Sequence, residues 1–185
     1  GAQLDPVSVI EQVEAIGAKF GVGRGIHLGD TIIGTKGRVA FEAPAAEVLI
    51  SAHRELEKLV MTGRQQRIKE MLSGPYGDLV HEGQHLDPVC RDMEALFVNS
   101  QARVTGEVKV QYRPGNAFVA GVTSPYSIMA ASKGVYGEAA GEWTAADALG
   151  FSKMVGLPGM FWTRAGNGDI PHFPKACARL ELFPG

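Results

Sequence analysis

Residues Gly21–Pro44, GVGRGIHLGDTIIGTKGRVAFEAP, decide how this chain reads. Alternating glycines open the stretch and an Ile-Ile pair stands where a strand core is expected. Gly34 turns the chain back, and Lys36, Arg38 and Glu42 follow at spacings of two to four residues. Glycine lets backbone approach a ligand or a second strand closely. Strand residues alternate between faces, so Lys36 and Arg38 share one. That pair suits a small anionic ligand, and it equally suits a structural hairpin with solvated charges. The expected strands run from Ile26 to Phe41.

Working outward, Asp5-Pro6 opens a first helix, with Asp5 capping and Ser8–Glu11 as an alternative capping box. Val9, Val13, Ile16 and Phe20 give it one apolar face, and Gly21 ends it. On the other side, Ala45–Met61 is a strong helix. Val48, Leu49, Ala52, Leu56, Leu59 and Val60 mark its inner side, with Glu55, Glu57 and Lys58 on the outer. A further helix spans Gln65–Leu72, breaks at Gly74-Pro75 and resumes over Tyr76–His81. Asp87-Pro88 starts another, ending near Ala102. Val104–Tyr112 alternates and pairs with Ala117–Val122 across Arg113-Pro114-Gly115-Asn116 as a hairpin. Irregular chain is expected to Gly141, then a helix over Thr144–Met154 with Thr144 and Asp147 as capping box. From Leu157 the prolines and glycines predict an extended tail. The fold class is therefore α+β: antiparallel strands and hairpins packed with three to five helices. One domain covers 1–156 and an irregular tail 157–185, with no internal repeat.

Composition excludes several classes. Basic and acidic residues number 18 and 20, for a net charge of −2, so no basic face points to nucleic acid. No apolar run approaches the roughly 20 residues that span a bilayer. The two cysteines, Cys90 and Cys177, show no metal or redox spacing, which fits a reducing compartment. No signal segment is visible at Gly1–Asp5, and the cytoplasm is the expected location.

Among motifs, His81-Glu82-Gly83-Gln84-His85 matches H-E-x-x-H, which on a continuous helix holds zinc between two imidazoles with Glu as base. Gly83 inside it and Asp87-Pro88 after it favour a helix end and loop. Gly21-Val22-Gly23-Arg24-Gly25 looks like a nucleotide loop, yet a dinucleotide loop joins a strand to a following helix. Here a helix precedes and a strand follows, so a helix-terminating turn is expected. His53 reads as a satisfied core or boundary group, Ser124-Pro125-Tyr126-Ser127 as a turn, and Cys90 as a small core residue. The expected ligand-facing set is Lys36 and Arg38 beside Asp30 and Glu42, since Arg holds carboxylates bidentately and Lys supplies a point charge.

Taken in order, the motifs resemble the argininosuccinate synthases. They are Gly21-Val22-Gly23-Arg24, Gly34-Thr35-Lys36-Gly37-Arg38, Phe41-Glu42-Ala43-Pro44 and Ala52-His53. The likeness continues through Leu79-Val80, Gly83, Asp87-Pro88, Val104–Val108, Ser124–Ser127 and Trp143–Phe151, covering residues 4–156. It implies the carboxyl-terminal part of the synthetase domain. That family joins citrulline and aspartate using ATP, with its magnesium, through a citrullyl-adenylate. Its amino-terminal S-G-G-x-D-T/S phosphate loop does not occur in this sequence.

The expectation is thus a fragment of a ligase of arginine biosynthesis, inactive alone. It would contribute citrulline-side and subunit contacts to a homo-oligomer, with ATP bound by the missing domain. The family's strand glutamate and the tyrosine twelve residues on, both citrulline contacts, fall at Gly29 and Phe41. Asp30 is adjacent and could substitute, giving the substrate-binding set Asp30, Lys36, Arg38 and Phe41, with Phe41 in a packing role. No catalytic residue and no metal ligand is assigned. The alternatives are a non-catalytic assembly or binding module of the same fold and a zinc hydrolase at His81, Glu82 and His85.

Overall fold

The structure, a computed structural model, describes residues 3–31, 33–132 and 142–166. The chain divides into two compact units, Gly1–Ser132 and Lys133–Gly185.

In the first unit, α1 (Pro6–Lys19) begins as its sequence dictates. The Asp5 carboxylate accepts from the N–H groups of Val7 and Ser8, and Pro6 takes the first turn, where a missing N–H costs nothing. The Ser8–Glu11 box is unused, since Ser8 Oγ donates to Asp5 instead. At the other end Gly21 has φ 69°, the Val22 N–H returns to Gly17 O and the Gly21 N–H to Ala18 O. This is a Schellman ending, and it tucks Val22 into the core. The GVGRG run is therefore the helix-terminating turn that its context predicts.

The strands β1 (Arg24–Asp30) and β2 (Lys36–Glu42) pair antiparallel from Arg24 opposite Glu42 to Asp30 opposite Lys36. Their turn closes through Thr31 N–H to Thr35 O and Gly34 N–H to Thr31 O, with Gly34 at φ 80°. Ile33 lies in that turn and is 80% exposed. Ile33 is thus part of the turn at Gly34 and not of a strand core. Ile32 lies outside the described residues.

Helix α2 (Pro44–Val60) is the centre of the core, burying Pro44, Ala45, Val48, Leu56 and Val60, with Met61 just beyond. It starts without a side-chain cap of its own. Glu14 of α1 supplies one, accepting from the Ala45 N–H at 2.8 Å. The helices meet closely because residue 17 is glycine: a Cβ there would lie 2.7 Å from Pro44 Cβ. One residue departs from the expected faces. Glu57, assigned outward by its charge, is buried, because partners from two other segments neutralise it.

Thr62 and Gln65 form a full capping box for α3 (Gly63–His81). This helix runs straight through Pro75 instead of breaking there. Proline removes one backbone donor and crowds the preceding turn, but packing beyond it holds the helix together. Tyr76 meets Phe97 edge-on at 5.5 Å and donates its hydroxyl to Glu94 at 2.9 Å. Both partners belong to α4 (Pro88–Ser100), capped by Asp87, whose Cys90 is fully buried as expected of a small core residue.

The hairpin β3 (Glu107–Arg113) and β4 (Asn116–Thr123) lies along α2, and Gly115 at φ 74° serves its tight turn. Val108, Val110 and Tyr112 are half-buried and alternate with exposed Glu107, Lys109 and Gln111. The Ser124–Ser127 turn follows, held by Ser124 Oγ donating to Thr105 O. Ser127 Oγ then accepts from the Ala130 N–H to start a short helix unmarked in the sequence, α5 (Ile128–Ser132).

In the second unit, α6 (Ala145–Ala165) begins with the expected Thr144–Asp147 capping box. It continues through Pro158 to Ala165, so the edge placed at 156/157 falls inside a helix and Leu157–Ala165 is not extended. The backbone ladder continues past the one donor that Pro158 removes. Residues 133–141 and 167–185, including Cys177 and the rest of the expected tail, lie outside the described residues. Among the described residues, six helices and two separate two-stranded antiparallel sheets make the fold α+β, and no helix is long and apolar enough to cross a membrane.

Candidate functional site

The register of β1 and β2 sorts the predicted site residues. Facing partners in an antiparallel pair share a side, and neighbours along a strand alternate. One face therefore carries Arg24, Ile26, Leu28 and Asp30 with Lys36, Arg38, Ala40 and Glu42. The other carries Gly25, His27 and Gly29 with Gly37, Val39 and Phe41. Asp30, Lys36 and Arg38 come together, and Phe41 stands on the opposite side.

On the charged face, Lys36 Nζ lies 2.5 Å from Asp30 Oδ1, and Arg24 Nε lies 2.5 Å from Glu42 Oε1. Both pairs are well exposed, so each adds only about 0–1 kcal/mol. Arg38 sits between them and forms no ion pair among the described residues. It is the free cation of this face.

The glycine face is shaped by what the glycines omit. A Cβ at Gly25 would stand 3.1 Å from the Phe41 ring, which therefore lies across that glycine. A Cβ at Gly29 would stand 2.6 Å from His27 Nε2 and 3.2 Å from Cδ2. The imidazole thus occupies the space that any side chain at 29 would enter. Opposite this face is the carboxyl end of α3. Between them runs a groove of about 690 Å³ lined by His27, Gly29, Gly37, Val39, Asp78, Leu79, His81, Glu82 and Gln84, with Asp30 and Thr31 at the turn.

The H-E-x-x-H geometry is not formed. His81 is the last residue of α3, Glu82 caps it, and Gly83 turns away at φ 73°. His81 and His85 therefore do not lie on successive turns of one helix, as zinc binding by this motif needs. Among the described residues no three His, Cys, Asp or Glu side chains are grouped to hold a metal ion.

A larger groove, about 730 Å³, lies between α2 and α3 beside Glu57. Its chemistry is already spent internally. Glu57 Oε1 accepts from Lys69 Nζ at 2.8 Å, Gln101 Nε2 at 2.7 Å and His53 Nε2 at 3.1 Å. Burial pushes the Glu57 carboxyl up, but Lys69, Gln101 and His53 together outweigh it and hold the group below the usual carboxylate range. His53 Nε2 also faces Gln101 Oε1 at 2.9 Å, so this nitrogen carries the proton. His53 is a satisfied boundary group, as its position on α2 predicts. The network joins α2, α3 and the end of α4.

Sequence reasoning missed His27, Asp78 and Glu82 as groove residues and Glu57 as a buried node. The signal for His27 was present: residues 27 and 29 are two apart on one strand, so a glycine at 29 leaves room for its neighbour's ring.

The family model described as arginosuccinate synthase C-terminal domain matches residues 1–162. The chain is 38% identical over 157 residues to the argininosuccinate synthase of Xanthomonas axonopodis pv. citri, covering 85% of this chain and 38% of the relative. The Synechocystis enzyme of the same name is 38% identical over 169 residues, 91% of this chain and 42% of the relative. That of Methanocaldococcus jannaschii is 42% identical over 128 residues, 69% and 32%. The chain thus spans about two fifths of the length of the curated relatives it matches. The helices, the two hairpins and the order of the motifs agree with this match, and the chain belongs to the argininosuccinate synthase family, over its C-terminal domain.

Proposed function

We propose that this chain is the carboxyl-terminal portion of a ligase that condenses citrulline and aspartate with ATP to argininosuccinate. In this reading it contributes citrulline-side and subunit contacts within a homo-oligomer of the cytoplasm. ATP and its magnesium are bound by an amino-terminal domain, and the 185 residues are inactive alone. The observation that carries the reading is the family match over residues 1–162, together with relatives named for that activity. Arg38 and Lys36 suit contacts to anionic groups on one face of the β1–β2 hairpin, and Phe41 packs across Gly25 on the other. The experiment is complementation. The chain is mixed with the amino-terminal domain of a relative, and citrulline- and aspartate-dependent release of AMP and pyrophosphate is measured. Activity in the mixture and none in either part is expected; turnover by the chain alone would refute it.

A second reading is a non-catalytic assembly module of the same fold, favoured by the glycine at 29 and the phenylalanine at 41. It expects no rescue by any such domain, together with a defined binding partner.

A further inference from the structure

We infer that the outer edge of β1 is a contact between two copies of this chain, which pair it antiparallel about a two-fold axis at His27. This names a subunit contact that the ligase reading leaves open, and it rests on that reading only for the homo-oligomer. Three observations carry it. The edge is free: among the described residues β1 pairs with β2 alone, and no backbone bond ties Arg24, Ile26, Leu28 or Asp30 to a segment outside the hairpin. The polar backbone of these four residues also points outward. Ala43 N–H donates to Gly23 O at one end of the hairpin and Thr31 N–H to Thr35 O at the other. Bonded and non-bonded pairs alternate, so the odd-numbered residues of β1 bond to β2 and the even-numbered ones turn away from it. Finally, the strand is complementary to itself. Arg24-Gly25-Ile26-His27-Leu28-Gly29-Asp30 matches opposite charges, two aliphatics and two glycines symmetrically about His27.

Antiparallel pairing about that residue sets Arg24 beside Asp30 of the second copy and Ile26 beside its Leu28. All four have outward-facing backbone, as a ladder in this register needs. Arg24 already pairs with Glu42 and Asp30 with Lys36, so each outer row of the four-stranded sheet alternates in sign from end to end. Between those rows the Ile26 and Leu28 side chains of both copies meet on one face; alone they are 70% and 63% exposed. An unpaired edge is a template for such pairing, opposite charges across strands favour it, and one patch meeting its own copy closes the contact at two chains. The β2 edge fits less well. The same operation there sets Arg38 beside Ala40 and Phe41 against Gly37, which leaves the guanidinium unmatched.

The experiment is sedimentation velocity of the whole 185-residue chain over a concentration series, repeated with Arg24→Asp, with Asp30→Arg and with an equimolar mixture of the two. Wild type is expected to associate. Each variant alone sets like charges together at both ends of the contact and should weaken association about tenfold or more. In the mixture the introduced aspartate of one variant meets the introduced arginine of the other, and the unchanged Asp30 and Arg24 meet at the far end. Association should therefore return, which two misfolded chains would not achieve. Both positions are exposed, so the fold is expected to tolerate either change. Exchange of the Ile26 and Leu28 amides should slow as the wild-type concentration rises. A chain that stays monomeric, association indifferent to the variants, or a mixture no better than its parts overturns the inference. Slowing at Arg38 and Ala40 in place of Ile26 and Leu28 moves the contact to β2 and overturns it as well. None of these outcomes touches ligase turnover, which the complementation experiment reads separately.

Discussion

At the scale of single residues, Glu57 shows how tertiary partners reverse a surface assignment. Its carboxylate is buried with three donors, and its folded pKa is depressed. A depressed carboxyl contributes stability above its unfolded value, near 4.5. That contribution is lost as pH falls through the lower folded value. Urea unfolding of wild type should therefore weaken below about pH 4.5, and Glu57→Gln should flatten that dependence. Glu57→Ala should cost roughly 2–3 kcal/mol at pH 7, the worth of hydrogen bonds to a charged group. An unchanged acid limb in the Gln variant would show that another group sets it.

Gly23 makes a second residue-scale case. It has φ 75°, and a Cβ there would lie 2.6 Å from the Ala43 carbonyl carbon. Gly23→Ala should therefore cost roughly 2 kcal/mol or more, from left-handed strain and backbone collision together; thermal denaturation reads it. Local chemistry was visible at such positions, because glycine at a helix end has few other uses. Glu57 was not visible, because its donors come from residues 53, 69 and 101, and no local pattern brings them together.

At the scale of elements, the sequence marked helix starts better than helix continuations. Asp5, Asp87 and Thr144 each accept the backbone bonds that their types predict. A cap is a contact within three residues, so it can be read in one window. Pro75 and Pro158 read as breaks in the sequence, and both lie inside helices. Whether a helix survives a proline depends on what packs beyond it, and for α3 that is Tyr76 on Phe97, twenty-one residues on. Pro75→Ala should accordingly stabilise the chain by about 1–3 kcal/mol, restoring one donor on an exposed helix. A loss of stability in that variant would mean that the proline shapes a kink which the α3–α4 contact requires. The amino end of α2 depends on Glu14, a cap borrowed from another helix. Glu14→Ala should cost about 1 kcal/mol, and Glu14→Gln, which keeps the acceptor, should cost less.

At the scale of the whole molecule, the two hairpins differ in support. β3–β4 lies along α2, whereas β1–β2 packs chiefly against itself. A lone two-stranded hairpin is marginal in water. Amide exchange should therefore be faster in β1–β2 than in β3–β4. Equal protection in the two hairpins of the dilute chain would sink that expectation. The pattern of strands was legible in the sequence, and so was the family. The groove was not, since it joins residues 27–39 to residues 78–84 across a gap that only the fold closes.

The Gly115 N–H donates to Phe20 O at 2.6 Å, and Phe20 stacks on Tyr112 with ring centroids 5.6 Å apart. The end of α1 is thus fastened by a turn synthesised about 95 residues later. A ribosome making this chain from its amino end releases α1 long before its clasp exists. During that interval the helix has only its own caps and, once made, α2 to hold it, and closing so long a loop lies late on the folding route. Nascent chains halted before residue 112 should leave Phe20 open to protease, and those extended past residue 123 should protect it.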